Sequence, residues 1–291
     1  MNSAKSARWK FTASMVIFGT LAPFVRNIPV SSGELALYRA LQAAVLIGIV
    51  LLATKQKIPF AKAKKEIPLL FLSGAAMGIN WILLFEAYKY TTVSAATLSY
   101  YFAPVLVTVA CPILFREKLT KKQVLCFVMS TVGIVMITGI SNVSGKSNLT
   151  GILFGLSAAV FYACVILLNK FIKNVEGLHR TFLQFIAAIA VLVPYVLLTG
   201  SYAPKPIDPA GWCSLLTVGM VHTGLAYCLY FSSVKELPGQ KAAILSYIDP
   251  LVAVLISVTV LGEALTLWHI LGGALILGFT LFNELTSQKT G

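Results

Sequence analysis

Charge is what this sequence has least of. Only 11% of its 291 residues are Asp, Glu, Lys or Arg, while 58% are hydrophobic and the mean hydropathy is +0.85. Soluble domains carry roughly 25% charged residues. A soluble fold this apolar has too little polar surface to cover itself, so hydrocarbon is the expected solvent for most of the chain. Acidic residues are scarcer than basic ones, 10 against 23. There is no ring of carboxylates and no filter-like loop, which counts against an ion channel. There is no phosphate-cradling G-x-x-x-x-G-K-[ST], so ATP is not an evident energy source. H-E-x-x-H and G-x-S-x-G are absent as well.

The cysteines point the same way. Cys111, Cys126, Cys164, Cys213 and Cys228 all fall inside apolar segments, without a C-x-x-C pair or a ligand cluster nearby. They read as small apolar fillers rather than metal ligands or disulfide partners. No cofactor and no metal are expected. The net charge of +13 would suit nucleic acid, but the cations sit in short loops. Membrane topology explains that distribution, so no nucleic-acid partner is expected.

What is present is a succession of long apolar stretches. A spanning helix needs about 20 mostly apolar residues. Such segments lie near 10–29, 34–54, 67–89, 93–115, 121–140, 150–171, 180–200, 210–234, 238–261 and 265–285. Lys5, Arg8 and Lys10 before the first one imitate a signal peptide, but no A-x-A cleavage site follows. The segment is kept as a span. With the N-terminus inside, 18 of the 23 Lys and Arg residues fall on the inner side and four (Arg26, Lys89, Lys146 and Lys205) on the outer, with Arg39 inside a span. That bias puts both termini in the cytoplasm.

The chain also repeats itself at an offset of 146 residues. Gly78 matches Gly224, Phe85 matches Phe231, Tyr101 matches Tyr247, Pro104 matches Pro250, and Glu117-x-Leu-Thr matches Glu263-x-Leu-Thr. Five spans per copy is an odd number, so the two copies must point in opposite directions. The loop 116–122 (REKLTKK) is predicted inside, and its mate 262–268 (GEALTLW) has lost every positive charge. The expected fold is an all-α integral membrane protein of ten transmembrane helices in two inverted five-helix repeats, 1–140 and 150–286. A polar linker, 141–149, joins them.

These residues carry a resemblance. SYIDPLVAVLISVTVLGEALTLWHILGGALILG in the second half, Tyr-Arg-Ala in the second span and the Pro…Gly-Glu-x-Leu-Thr spacing resemble the EamA family of the drug/metabolite transporter superfamily. The likeness covers essentially the whole chain. It departs from the pattern in the first copy, which has Arg116 for the expected Gly and Ala103 where the second has Asp249. The resemblance implies a carrier of small metabolites that works by alternating access.

The candidate site follows from depth. Pro104 and Pro250 sit near mid-span, and each leaves the carbonyl four residues earlier without its N–H partner. In hydrocarbon this is tolerated only against protein or a wet cavity. The prolines are therefore candidate kinks or gates, with a plain packing kink as the alternative. Tyr101 and Tyr247 lie three residues before them, and Asn80, Tyr162, His222 and Tyr227 also reach mid-depth. Together they suit a polar-aromatic or amino-acid-like solute, while helix-to-helix hydrogen bonding is the alternative for each alone. Asp249 is the one acid near the midplane, where a charge costs about 2.5–3.5 kcal/mol on insertion scales. It can serve as counter-ion to a cationic solute, as proton-coupling site, or as partner of His222 or a backbone group. Arg39 either snorkels to the outer headgroups or serves an outer vestibule by attracting a carboxylate.

The sequence therefore points to a non-enzymatic secondary transporter in the cell (inner) membrane. Export of amino acids or related amphipathic compounds is the leading reading, with protons as a candidate second partner and lipid as the surroundings. The alternative, a membrane-embedded enzyme acting on lipid or isoprenoid substrates, needs a polar cluster at headgroup level. Here the polar residues concentrate at mid-depth.

Overall fold

The computed structural model describes residues 2–56, 63–115, 120–139, 145–199, 207–234, 236–237 and 239–287. Loop residues Arg116–Leu119, residues 141–144 of the expected linker and Lys235 lie outside them. Among the described residues the structure is helical, without strands. In hydrocarbon a helix satisfies its own backbone N–H and C=O groups, which an open strand cannot do.

The elements run α1 (Asn2–Gly19), α2 (Leu21–Arg26), α3 (Ser32–Ala53), a 3₁₀ turn (Lys64–Glu66), α4 (Ile67–Tyr90), α5 (Val93–Tyr100), α6 (Ala103–Phe115) and α7 (Lys121–Gly139). They continue with α8 (Gly145–Phe171), α9 (Gly177–Leu198), α10 (Pro209–Leu216), a π-helical segment (Thr217–Leu225), α11 (Ala226–Val234), α12 (Gly239–Ser246), α13 (Ile248–Thr259) and α14 (Leu267–Ser287). Each of the ten apolar stretches is thus helical for most of its length. Six helical stretches among the described residues are long and apolar enough to cross a membrane, and 244–259 and 267–283 are shorter apolar helices. Gly145–Asn148, expected as linker, already belong to α8.

Local chemistry sets several starts. Ser31 and Glu34 form a reciprocal capping box at the head of α3, with Ser31 N–H donating to Glu34 Oε2 at 2.8 Å and Glu34 N–H donating to Ser31 Oγ at 3.1 Å. Thr92 caps α5, and Asp208 followed by Pro209 opens α10.

The two halves of the sequence interleave. The most extensive packing in the chain joins α4 to α8, and α4 also packs on α9. Glycines permit this closeness. A Cβ added to Gly74 would lie 2.6 Å from Ala187 Cβ, and one on Gly155 would lie 3.1 Å from Ser99 Cβ. Gly74 thus seats α4 on α9, and Gly155 seats α8 on α5. A buried polar knot joins α4, α8 and α9, with the Gln184 amide donating to Ser73 Oγ at 2.5 Å and to Asn169 Oδ1 at 2.6 Å.

Glu66 fixes one end of α4 by accepting from the Lys173 N–H at 2.8 Å and the Asn174 N–H at 3.1 Å. Glu263 reaches the chain just past the other end of α4, at the Val93 N–H. At 1.5 Å per residue, the 24 residues of α4 separate these ends by about 36 Å.

Four of the apolar stretches are interrupted near their middles. α1 gives way to α2 at Thr20, α5 to α6 at Tyr101–Phe102, and α12 to α13 at Tyr247. The fourth interruption is the π segment between α10 and α11. The prolines were expected as mid-span kinks. They instead fall in the first turn of a restarted helix, where a missing N–H costs nothing.

Candidate functional site

The interruptions bring the expected residues toward one interior region, although not in the expected roles. Tyr101 closes the α5–α6 break and its hydroxyl donates to Asp249 Oδ2 across the repeat. Tyr101, Pro104, Ser246 and Tyr247 line one cleft of ≈ 40 Å³ with Leu277 and Thr280. Gly19 of α1 lies against this corner, and a Cβ there would come 2.6 Å from the Asp249 carbonyl oxygen. Of the three roles open to Asp249, partnership with His222 is not formed. His222 Nε2 lies 3.1 Å from Thr20 Oγ1, its Nδ1 lies 3.2 Å from the Thr217 carbonyl, and its ring packs on Phe24. His222 thus pins the α1–α2 break to the π segment.

Arg39 is corrected most. It neither snorkels nor lines the rim: it is only 5% exposed. Its side chain enters the interior and its Nε donates to Thr223 Oγ1 at 2.6 Å. Its guanidinium carbon lies 4.6 Å from the Trp81 ring centroid and 5.6 Å from that of Phe85. Among the described residues Thr223 is its one side-chain acceptor, and no carboxylate pairs with it. Among the described residues only Nε of the guanidinium has a side-chain acceptor. A buried cation left this way is costly unless something else supplies the acceptor.

The π segment makes that placement possible. Thr223 Oγ1 bonds the Val218 carbonyl five residues back at 2.8 Å, and the widened turn presents Thr223 and His222 to the interior. Such bulges recur at functional positions.

Aromatic rings fill the rest. Tyr88, Tyr100 and Tyr227 are the phenols within electrostatic reach of Arg39, and the same three lie within reach of Asp249. Tyr227 meets Phe18 and Phe185 edge-on, with ring centroids 5.4 and 5.5 Å away. Tyr162 stacks on Tyr100 at 5.1 Å but keeps 37% of its surface exposed, so it forms an edge of the region. Asn80 is buried and its amide donates to the Ala158 carbonyl at 2.6 Å, a bond between α4 and α8. Asn80 thus ties two helices and also hydrogen-bonds Tyr100 of the interior region.

Tyr88, Tyr100, Trp81, Thr223 and Thr20 were not anticipated. Asn80, Leu84 and Tyr88 recur at i, i+4 and i+8 on one face of α4, which is the sequence signal that places Tyr88 with Asn80. The π bulge carries no comparable signal. Among the described residues no three His, Cys, Asp or Glu side chains group as metal ligands. Cys126, Cys164, Cys213 and Cys228 are free thiols.

The EamA-like transporter family matches residues 9–139 and again 149–284. "Uncharacterized transporter YxxF" of Bacillus subtilis is 31% identical over 269 residues, covering 92% of this chain and 86% of its own length. An "Uncharacterized transporter" of Archaeoglobus fulgidus is 29% identical over 92% of both chains. The "Probable amino-acid metabolite efflux pump" of Salmonella typhimurium is 25% identical over 77% of this chain and 79% of its own. A solved crystal structure shares the fold at a TM-score of 0.67 and 17% identity, covering 98% of this chain and 99% of the other. Two family matches spanning nearly the whole length, on a multi-pass helical membrane fold, establish that this chain belongs to the EamA-like transporter family.

Proposed function

We propose that this transporter is a secondary carrier that exports amino acids or closely related zwitterions. In this reading ten helices form two inverted five-helix repeats in the cell membrane, both termini are cytoplasmic, and the Arg26 end faces outward. One observation carries the substrate class. Arg39, a buried guanidinium, and Asp249, a carboxylate, address the same group of tyrosines. A free amino acid carries both a carboxylate and an ammonium, and so offers a counter-charge to each of these two groups. The relative named as an amino-acid metabolite efflux pump supports the same class.

The moving parts would be the interrupted helices. The α4–α8–α9 packing is too closely joined to slide without loss. The α5–α6 and α12–α13 breaks each carry few helical bonds and meet at Tyr101 and Asp249. Alternating access would then come from these breaks hinging around the tyrosines, with Asp249 available to a proton or to the solute ammonium.

Counterflow in proteoliposomes tests the reading. Vesicles loaded with one unlabelled compound are given its labelled form, across neutral, aromatic and cationic amino acids, purines and polyamines. Saturable exchange of amino acids, lost in Tyr247→Ala, is the expected result. Flat traces for every amino acid with folded protein would remove the substrate class.

A further inference from the structure

A cleft of ≈ 220 Å³ lies at the Arg26 end, beside α2, α3 and α4. Its wall is apolar, formed by Val25, Ile28 and Leu35, and its rim carries Arg26 and Lys89. Each cation is already held by a protein carboxylate. Arg26 Nη2 lies 2.6 Å from Glu263 Oε1, and Lys89 Nζ lies 2.9 Å from Glu86 Oε2. The Arg26 side chain keeps 33% of its surface exposed and that of Glu263 only 9%, so a solute in the cleft meets the arginine first.

Glu263 does not depend on Arg26 for its place. Its two oxygens accept from the Val93 N–H at 3.1 and 2.8 Å, and it accepts from the Ser257 hydroxyl. Arg26 can therefore change partners without collapsing the corner. Phe85 is shared between the two regions: it lines this cleft, and its ring lies under the Arg39 guanidinium. One aromatic side chain thus belongs both to the cleft and to the surroundings of the interior arginine.

We propose that this cleft is a second, peripheral station for the carboxylate of a small amphipathic acid, and that the ligand competes with Glu263 for Arg26. The apolar wall receives the body of the ligand, and its carboxylate replaces one carboxylate on the guanidinium with another. Occupation would also open the ion pair that ties α2 to the turn after α13. The identity of the natural ligand rests on the carrier reading above. The competition does not, because it can be measured without transport.

The test uses Val30→Cys, which puts a thiol at a part-exposed position lining the cleft, in full-length protein with the five native cysteines replaced by serine or alanine. Labelling by a membrane-impermeant maleimide is followed with phenylacetate or phenethylamine present. Phenylacetate is expected to slow labelling and phenethylamine to leave it unchanged. Arg26→Gln should abolish the protection. Glu263→Gln keeps an oxygen for Val93 but removes the competing charge, so it should lower the protecting concentration about tenfold. Arg39→Met should leave protection intact, since the station is distinct from the interior arginine. Equal protection by acid and amine, an unchanged midpoint in Glu263→Gln, or loss of protection in Arg39→Met would each overturn the proposal.

Discussion

If Arg39 anchors a solute carboxylate, replacing it must hurt compounds with a carboxylate and spare those without one. Two variants separate the contributions. Arg39→Met removes the charge and keeps an apolar body against Trp81. A charge-assisted hydrogen bond in a buried site is worth about 1.5–3 kcal/mol, which is about 10- to 150-fold in half-saturation. Arg39→Lys keeps the charge but offers one point contact where the guanidinium edge offers two. It also loses the Nε bond to Thr223 and the guanidinium contact over the Trp81 ring. A loss of about tenfold is expected, between wild type and the methionine variant.

The assay is counterflow inhibition by an amino acid and by its decarboxylated amine. The amino acid should weaken as an inhibitor in the order Arg, Lys, Met, while the amine should hold within about threefold. Stability supplies the control. Arg39 has no carboxylate partner among the described residues, and apolar replacement of a buried charge is often neutral or stabilising. Thr223 keeps its own acceptor at Val218. The methionine variant should therefore melt no lower than wild type. Equal losses for the amino acid and the amine in a well-folded Arg39→Met protein would refute the carboxylate anchor.

Asp249→Asn retains an acceptor for the Tyr101 hydroxyl but binds no exchangeable proton. Counterflow should persist while acceleration by a proton gradient disappears, and retained acceleration would remove Asp249 from coupling. Gly74→Ala places a Cβ 2.6 Å from Ala187 Cβ. Overpacking there should cost about 1–3 kcal/mol and lower the melting temperature in detergent; an unchanged melt would mean α4 and α9 can separate freely. Glu66→Ala strands the N–H groups of Lys173 and Asn174. It should destabilise by about 1–3 kcal/mol, with Glu66→Gln recovering part of the loss.

Hydropathy, the 146-residue repeat and the prolines were enough to locate nearly every helix. Those signals are local and strong, because lipid leaves an apolar segment no other solution. The site was legible in part for the same reason. Residues at mid-depth must face protein or water, so Tyr101, Tyr227, Tyr247 and Asp249 could be singled out from depth alone. Depth cannot tell a helix tie from a lining group. Asn80 spends its amide on the Ala158 carbonyl, and His222 is taken up by Thr20 and Thr217. Arg39 was misplaced because seven residues from a helix start is close enough for a long side chain to reach headgroups. What draws it inward is Thr223, 184 residues away on a π bulge that no periodicity announces.

The doubled sequence explains why the site is asymmetric. Matching breaks at Tyr101 and Tyr247 bring both repeat mates to one cleft, as repetition alone would require. Where the copies differ, one has Ala103 and the other Asp249. A matched pair of acids facing each other would repel and raise the cost of burial. With one copy neutral, Tyr101 of the first half is left to donate to the single acid of the second. Repetition thus supplies the helix break twice and divergence supplies the acid once. In the proposed carrier, that arrangement would let the two breaks hinge alike while only one of them holds the acid.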